Sequence, residues 1–264
     1  MRRRLRAAAL LLATLAVAGQ ASAAQEASKR SSGATGKPSE EKTIGAAVAA
    51  FNGVWERVGI AGFDPTLKPG QVDQPPYNAE YAARYKQLID GQKAGHIFSD
   101  PTANCVFAGM PRFMNLAIPM EIAVTPGRVF MMAEWNSEVR RIYTDGRGHP
   151  VDPDPTYNGH STGRWENGQL HIDTVGLRGD TVFAATGAMH SEATTVQERL
   201  WLAGPDTLKD EITVLDPKAF TRPYVVTKTY RRQPDWEIQE YVCAENNRNQ
   251  MQNGVTGAEL IPKR

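Results

Sequence analysis

The sequence predicts a mainly β fold: an antiparallel up-and-down barrel preceded by one N-terminal helical segment. Signals for successive hairpins fill the chain from Val106 onward. The runs between these turn signals are rich in β-branched and aromatic residues, as strands are. A chain of hairpins leaves two unpaired edges unless it closes on itself, so we expect a closed barrel.

Four hairpins are expected, each centred on a short turn. The strongest signal is Asn167-Gly168, between STGRWE and QLHIDTV, because Asn-Gly readily adopts the positive φ values of a two-residue hairpin turn. The remaining three turns are predicted at Asn136-Ser137, Gly204-Pro205-Asp206 and Gln233-Pro234-Asp235. The last of these turns would pair YVVTKTYRR with WEIQEYVC.

One helix is predicted from Asn78 to Lys93, with Asn78 as its N-cap and Gly91 as its stop. A single apolar stripe of the helix carries Tyr81, Tyr85, Leu88 and Ile89. Further upstream, TIGAAVAAF predicts at most two helical turns.

The N-terminus has the pattern of a secretory signal peptide over residues 1–23: a basic start, a short apolar stretch and a small-residue cleavage site at Ala21–Ala23. Residues 24–43 are small, polar and charged, which predicts a disordered linker. Residues 44–250 then form one barrel domain, and residues 251–264 form a tail. We expect an exported protein, periplasmic or secreted, without a transmembrane segment.

The net charge and the cysteine count indicate which partners and which compartment to expect. A formal net charge of +1 argues against nucleic acid as a partner, and a small-molecule ligand is expected instead. The oligomeric state is left open. The chain has two cysteines, Cys105 and Cys243, which in an oxidising compartment predict a disulfide; two buried thiols are the alternative.

Strand alternation assigns faces to the polar residues. In QLHIDTV, an inward apolar face of Leu170, Ile172 and Thr174 leaves His171 and Asp173 on the solvent side. Around Asn136-Ser137, both faces of the hairpin carry one arginine, so one charge must face inward. A Glu134–Arg141 pair would avoid an unpaired buried charge, and could be structural or orient a ligand.

Two carboxylates fall on apolar faces, Glu198 between Val196 and Leu200, and Asp210 between Leu208 and Ile212. Burial raises the pKa of an unpaired carboxyl group, which suits general acid or base catalysis. The alternative is a salt bridge to Arg199 or Arg164, or a place at the barrel mouth. We favour this alternative for Asp210 and leave Glu198 open.

The stretch DGRGHPVDPDPTYNGHSTGRWE and the later GAMHSEA contain three loop histidines, His149, His160 and His190. Loops of successive hairpins meet at one rim of a barrel, so the three imidazoles could converge there for acid–base chemistry or metal binding. Metal binding is disfavoured, because no close His spacing occurs and Asp152-x-Asp154-x-Thr156 lacks the glycine of a calcium loop. Taken singly, each histidine could equally be structural.

Two resemblances add to this interpretation. Gly53-Val54-Trp55 resembles the Gly-x-Trp signature on the first strand of lipocalin-like barrels, in which the Trp closes one end. RRIYTDGRGHP, YNGHSTGRWENGQLHIDTVG, HSEATTVQERL and EYVCAENNR resemble a family of exported bacterial proteins from sphingomonads and acidobacteria without an assigned reaction. The resemblance covers Cys105 to Arg248. It departs from the family at ENGQLHIDT, where EGDTLVVDT is more usual, which makes His171 a weaker candidate.

The sequence therefore predicts a cofactor-independent lyase, isomerase or hydrolase acting on a small apolar or aromatic metabolite. The expected catalytic residues are His160, His190 and Glu198. Substrate binding is assigned to Arg141, Arg164, His149, Glu134 and Asp173, with the two arginines stabilising an oxyanion. The alternatives are a lipocalin-like carrier of a hydrophobic ligand and an interaction protein of the cell envelope.

Overall fold

The computed structural model describes residues 45–59, 62–96, 98 and 100–245. These residues belong to one compact unit, Thr43–Arg264. The predicted signal peptide, the predicted linker and the predicted tail all lie outside the described residues. No helix among the described residues is long and apolar enough to cross a membrane.

Nine strands form a closed barrel in which each strand pairs with its neighbours in sequence, and the last pairs with the first. The predicted mainly β, lipocalin-like barrel is therefore confirmed. The strands are β1 (Gly53–Val58), β2 (Met120–Thr125), β3 (Arg128–Ala133), β4 (Val139–Tyr143), β5 (His160–Glu166), β6 (Gln169–Val175), β7 (Thr195–Gly204), β8 (Thr207–Leu215) and β9 (Tyr224–Arg232).

Three of the four predicted hairpins form, as β3–β4, β5–β6 and β7–β8. Asn167 and Gly168 both have positive φ, 50° and 74°, as a two-residue turn of this type requires. Glu166 consequently faces Gln169 across the β5–β6 turn, and the whole register of that pair follows from it.

The fourth predicted hairpin is wrong. β9 pairs with β8 on one side and with β1 on the other, so the edge that the C-terminal segment would occupy is taken by β1. Residues 233–245 contain no strand. They are held instead by the Cys105–Cys243 disulfide, whose two Cα atoms are 5.3 Å apart, and by stacking of Tyr241 on Trp135. The predicted disulfide is confirmed.

One pair of strands departs from the antiparallel pattern. β4 and β5 run parallel and share only two residue pairs, Ile142 with Ser161 and Tyr143 with Thr162. A parallel pair needs a long crossover, and residues 144–159 supply it. This crossover carries His149 back across the outside of the barrel.

β1 closes the barrel as the Gly-x-Trp pattern predicts. Trp55 is fully buried, its indole Nε1 donates to the carbonyl of Phe51 at 2.9 Å, and the Arg232 guanidinium carbon lies 4.2 Å from its ring centre. Upstream of β1, residues 45–49 are helical, in line with the expected short turns.

The predicted helix, α1, spans Ala79–Lys93. Asn78 caps it, since its side chain accepts a hydrogen bond from the Tyr81 amide at 3.0 Å. Tyr85 and Ile89 are its buried residues. The predicted stop at Gly91 is wrong by two residues, because the helix continues through Gly91 to Lys93.

Candidate functional site

The outer surface of β4, β5 and β6 carries a cluster of polar and aromatic side chains. Ile142, Ser161 and Thr174 point into the barrel and are buried, so their strand neighbours must point outward. These outward neighbours, with the crossover, form what we call the outer histidine cluster. Its members are Tyr143, Arg147, His149, His160, Thr162 and Asp173.

A chain of hydrogen bonds links three members of this cluster. The Nδ1 atoms of His149 and His160 are 2.9 Å apart, and His149 Nε2 lies 3.2 Å from Asp173 Oδ2. The Thr162 hydroxyl is also 3.2 Å from His149 Nε2. His149 is therefore fixed at both ring nitrogens, with Asp173 on one side and His160 on the other.

These contacts assign the tautomers of both histidines. A carboxylate only accepts hydrogen bonds, so His149 Nε2 carries the proton that meets Asp173. A neutral His149 then has a lone pair on Nδ1, and the proton between the rings belongs to His160 Nδ1. His160 Nε2 is left unprotonated, as the terminal acceptor of an Asp173–His149–His160 relay.

The surroundings of His160 keep it neutral. Burial, then His149, then the positive charge of Arg147 all lower the pKa of His160 below its ordinary value. Its ring stacks on Tyr143 with the ring centres 5.2 Å apart, and the Arg147 guanidinium carbon lies 4.1 Å from the centre of the same Tyr143 ring. Asp145 pairs with Arg147 at 2.6 Å. At neutral pH, His160 is thus an oriented base.

His190 lies in a different, buried environment. Its Nε2 is 2.7 Å from the Thr181 hydroxyl, and its Nδ1 is 3.1 Å from the Ser191 carbonyl, which makes Nδ1 a donor and Nε2 an acceptor. Its ring stacks on Phe183, and burial lowers its pKa. Both ring nitrogens of His190 are hydrogen-bonded and only 3% of its surface is exposed, so its contacts stabilise the surrounding loops.

Asp216, which the sequence reasoning missed, organises the loops around His190. Its carboxylate accepts hydrogen bonds from the Ser191 amide and hydroxyl, each at 2.7 Å, and from the Thr194 hydroxyl at 2.9 Å. Burial acts to raise the pKa of Asp216, but these hydrogen bonds outweigh it and hold that pKa below its ordinary value.

Glu198 points into the barrel, as strand alternation predicts, and pairs there with Arg140. The Arg140 guanidinium binds both carboxylate oxygens of Glu198, and it also donates to Thr174 Oγ1 at 3.1 Å. Both side chains are completely buried. The partners Arg199 and Arg164 considered for Glu198 are wrong, because Arg199 pairs with Glu211 and Arg164 with Glu166.

The expected Glu134–Arg141 pair does not form. The β3–β4 loop is longer than a two-residue turn, since Trp135–Ser137 form a short 3-10 helix, so Met131 rather than Ala133 faces Arg140. Arg140 is the inward arginine, and Arg141 is exposed on the outer face. Glu134 instead accepts a hydrogen bond from the backbone N–H of Gln239 at 3.0 Å.

Asp210 and Lys228 complete the polar interior, and both are fully buried. Burial, and then the Glu198 carboxylate, raise the pKa of Asp210 well above its ordinary value, and a protonated Asp210 can donate a hydrogen bond to Glu198. In the described part of the chain, Asp210 forms no salt bridge to Arg199 or Arg164, because these pair with Glu211 and Glu166. Lys228 Nζ donates to Asn115 Oδ1 at 2.6 Å and to the Gly62 carbonyl at 3.0 Å.

The predicted site residues therefore separate into distinct environments. His149, His160 and Asp173 meet on the outside, His190 is held in a buried loop network, and Glu198 lies inside the barrel. Arg164 is exposed on the outer face of β5. The expected convergence of three loop histidines is met for His149 and His160 only, because His190 contacts Thr181, Ser191 and Thr194 instead.

Comparison with known proteins does not assign a function to these residues. Among the described residues, no group of three or more His, Cys, Asp or Glu side chains has the arrangement of a metal site. The sequence matches no family model and no curated protein.

Proposed function

We propose that the protein is an acid–base enzyme that acts on a small apolar or aromatic metabolite, with His160 as the proton carrier. The observation behind the proposal is the chain of contacts from Asp173 through His149 to His160 on the outer face of the barrel, which by the tautomer argument leaves His160 Nε2 as an acceptor. Convergent, oriented titratable groups with a perturbed pKa are typical of catalytic sites.

The relay suits proton abstraction at neutral pH. His160 Nε2 takes a proton from a C–H bond or from water and passes its Nδ1 proton to His149 Nδ1, which puts the positive charge beside the Asp173 carboxylate. In an elimination or isomerisation, the electron pair of the broken C–H bond forms the new double bond. The transfers then reverse, and His160 Nε2 returns its proton to the leaving group or product, which leaves the relay unchanged.

The roles first assigned to His190 and Glu198 pass to His149 and Asp173. Their own contacts give His190 and Glu198 structural partners, whereas the relay residues are partly exposed. The polar interior argues against the carrier alternative. Arg140 and Lys228 lie inside the barrel, so an apolar ligand bound there would contact buried charged side chains.

We infer that this chemistry takes place outside the cytoplasm, in the periplasm or after secretion. The Cys105–Cys243 disulfide supports an oxidising compartment. Fractionation of the producing cell, with thiol labelling of the two cysteines, would test this. A cytoplasmic protein with two reduced cysteines would contradict it.

A screen of small metabolites for turnover tests the enzymatic proposal, with three variants compared against the wild type. His160→Gln removes the base and should lower turnover by about 10²–10⁴-fold. Asp173→Asn leaves the base but weakens the relay, so its loss should be smaller. His171→Gln is the matched control, because His171 is also on the outer face of β6 and contacts Glu166 instead of the relay. Equal turnover by the wild type and His160→Gln would overturn the proposal.

A further inference from the structure

A hollow of about 510 Å³ lies beside α1, and none of its lining residues belongs to the outer histidine cluster. One face of α1 and the extended segment before the helix form its walls. We propose that this hollow binds a small aromatic or apolar molecule that carries one acidic group. The apolar part of its lining includes Val72, Pro75, Pro76, Tyr77, Tyr85 and Ile89.

The walls of the hollow are anchored to the barrel, so the site is formed before any ligand arrives. Tyr77 forms a β-bridge with Phe220, and the Thr221 amide donates to the Pro76 carbonyl at 2.8 Å. The Tyr77 hydroxyl donates to the Met189 carbonyl at 2.7 Å. Binding therefore does not require these residues to become ordered, which favours affinity.

The size and lining of the hollow fit a small apolar ligand. Sites for such molecules have volumes of about 300–1,000 Å³ and are lined mainly by apolar and aromatic groups. Tyr77 and Tyr85 meet edge to face, with ring centres 5.4 Å apart. A flat ligand ring can pack against these aromatic faces.

The charges at the mouth favour an acidic group on the ligand. Three charged residues of α1 line the hollow: Lys86, Asp90 and Lys93. Lys86 and Asp90 form an ion pair with each other. Lys93 forms no salt bridge within the described part of the chain, so its ammonium group remains to meet a ligand anion.

Fluorescent probes test the proposal directly in the full-length protein. 8-Anilinonaphthalene-1-sulfonate has the proposed chemistry, and N-phenyl-1-naphthylamine is a related probe without the sulfonate. We expect saturable binding of the sulfonate to the folded wild type, and weaker binding of the neutral amine. Absence of sulfonate binding, or equal affinity for both probes, would overturn the proposal.

Two neighbouring alanines give a matched pair of variants. Ala82 lines the hollow and Ala83 does not, while both are exposed on α1, so either should accept a larger side chain. Ala82→Trp fills the hollow and should weaken sulfonate binding at least 10-fold, whereas Ala83→Trp should bind as the wild type does. Equal binding by the two variants, each with native near-UV circular dichroism, would place the probe elsewhere and overturn the assignment.

A charge variant and a relay variant complete the test. Lys93→Gln should weaken binding of the sulfonate by about two- to five-fold, as expected for one exposed ion pair, and leave binding of the neutral amine unchanged. Equal effects on both probes would contradict the acidic-group assignment. His160→Gln should bind both probes as the wild type does, because this site is independent of the relay.

Discussion

The two faces of β5 and β6 carry polar residues of opposite kinds. On the inside, Ser161 and Thr174 are buried and lie within hydrogen-bonding distance of the Arg140 guanidinium. On the outside, His160 and Asp173 belong to a relay that reaches solvent. Strand alternation therefore lets adjacent residues of one strand pair stabilise the barrel on one face and, under the proposed function, carry proton chemistry on the other.

This difference implies that substitutions on the two faces should have separable effects. Inner substitutions leave a charge or dipole buried without a partner, which costs folding free energy. Outer substitutions alter groups that water can solvate, so their effect should appear in proton affinity and turnover. The following expected results run from the largest effect on stability to the smallest.

Removing one partner of the inner ion pair should cost the most. Arg140→Met leaves Glu198 buried without its cation, and we expect a loss of about 3–5 kcal/mol in the free energy of unfolding, measured by urea denaturation. The double variant Arg140→Met/Glu198→Leu removes both charges and should recover most of that loss. A single-variant loss below about 1 kcal/mol would show that the pair does not stabilise the barrel.

Lys228 should make stability depend on alkaline pH. Burial lowers the pKa of Lys228 to about 7, so between pH 7 and its ordinary value of 10.5 the unfolded chain binds a proton that the folded chain does not. The free energy of unfolding should therefore rise with pH, by on the order of 3 kcal/mol from pH 7 to pH 10. Lys228→Met should remove this rise. An equal rise in the variant would assign it to another group.

Asp210 should show the opposite sign. Because burial and Glu198 raise its pKa, the folded chain keeps a proton that the unfolded chain releases above pH 3.8, and the stability this supplies is lost as pH rises toward the folded pKa. Asp210→Asn replaces the carboxyl group with an amide of nearly the same shape that stays uncharged at every pH. We expect the free energy of unfolding of the variant, measured by urea denaturation, to increase relative to that of the wild type as pH rises from 4 to 8. A large loss at pH 8 would mean that Asp210 is ionised there.

Outer substitutions should barely change stability. His160→Gln and Asp173→Asn should each alter the free energy of unfolding by about 0.5 kcal/mol or less, as is usual for partly exposed positions. Urea denaturation at pH 7 measures this. A loss of several kcal/mol in either variant would remove the distinction between the faces.

The parts of the fold that short-range patterns specify were predictable from the sequence. Asn167-Gly168 defines its hairpin through backbone φ, and Asn78 defines the start of α1 through its cap. Alternation also placed Glu198 and Asp210 inside. The same rule applied to YVVTKTYRR would have found Lys228, which shares a face with Val226 and Tyr230.

The remaining features depend on geometry that alternation does not encode. The choice of Arg140 over Arg141 follows from the length of the β3–β4 loop, in which Asn136 and Ser137 have positive φ. The relay depends on the parallel β4–β5 pair and its long crossover, which bring His149 onto His160. The meeting of His149 and His160 was expected, but at a barrel rim shared with His190; no local pattern predicts the crossover that places them beside Asp173 on the outer face.

The tautomers of His149 and His160 test the relay most directly. Long-range ¹⁵N–¹H NMR spectra of the histidine rings at neutral pH distinguish which nitrogen of each ring is protonated. We expect His160 to carry its proton on Nδ1 and His149 on Nε2, with the His149 signals shifted in Asp173→Asn. Finding the His160 proton on Nε2, or both rings fully protonated, would contradict the relay.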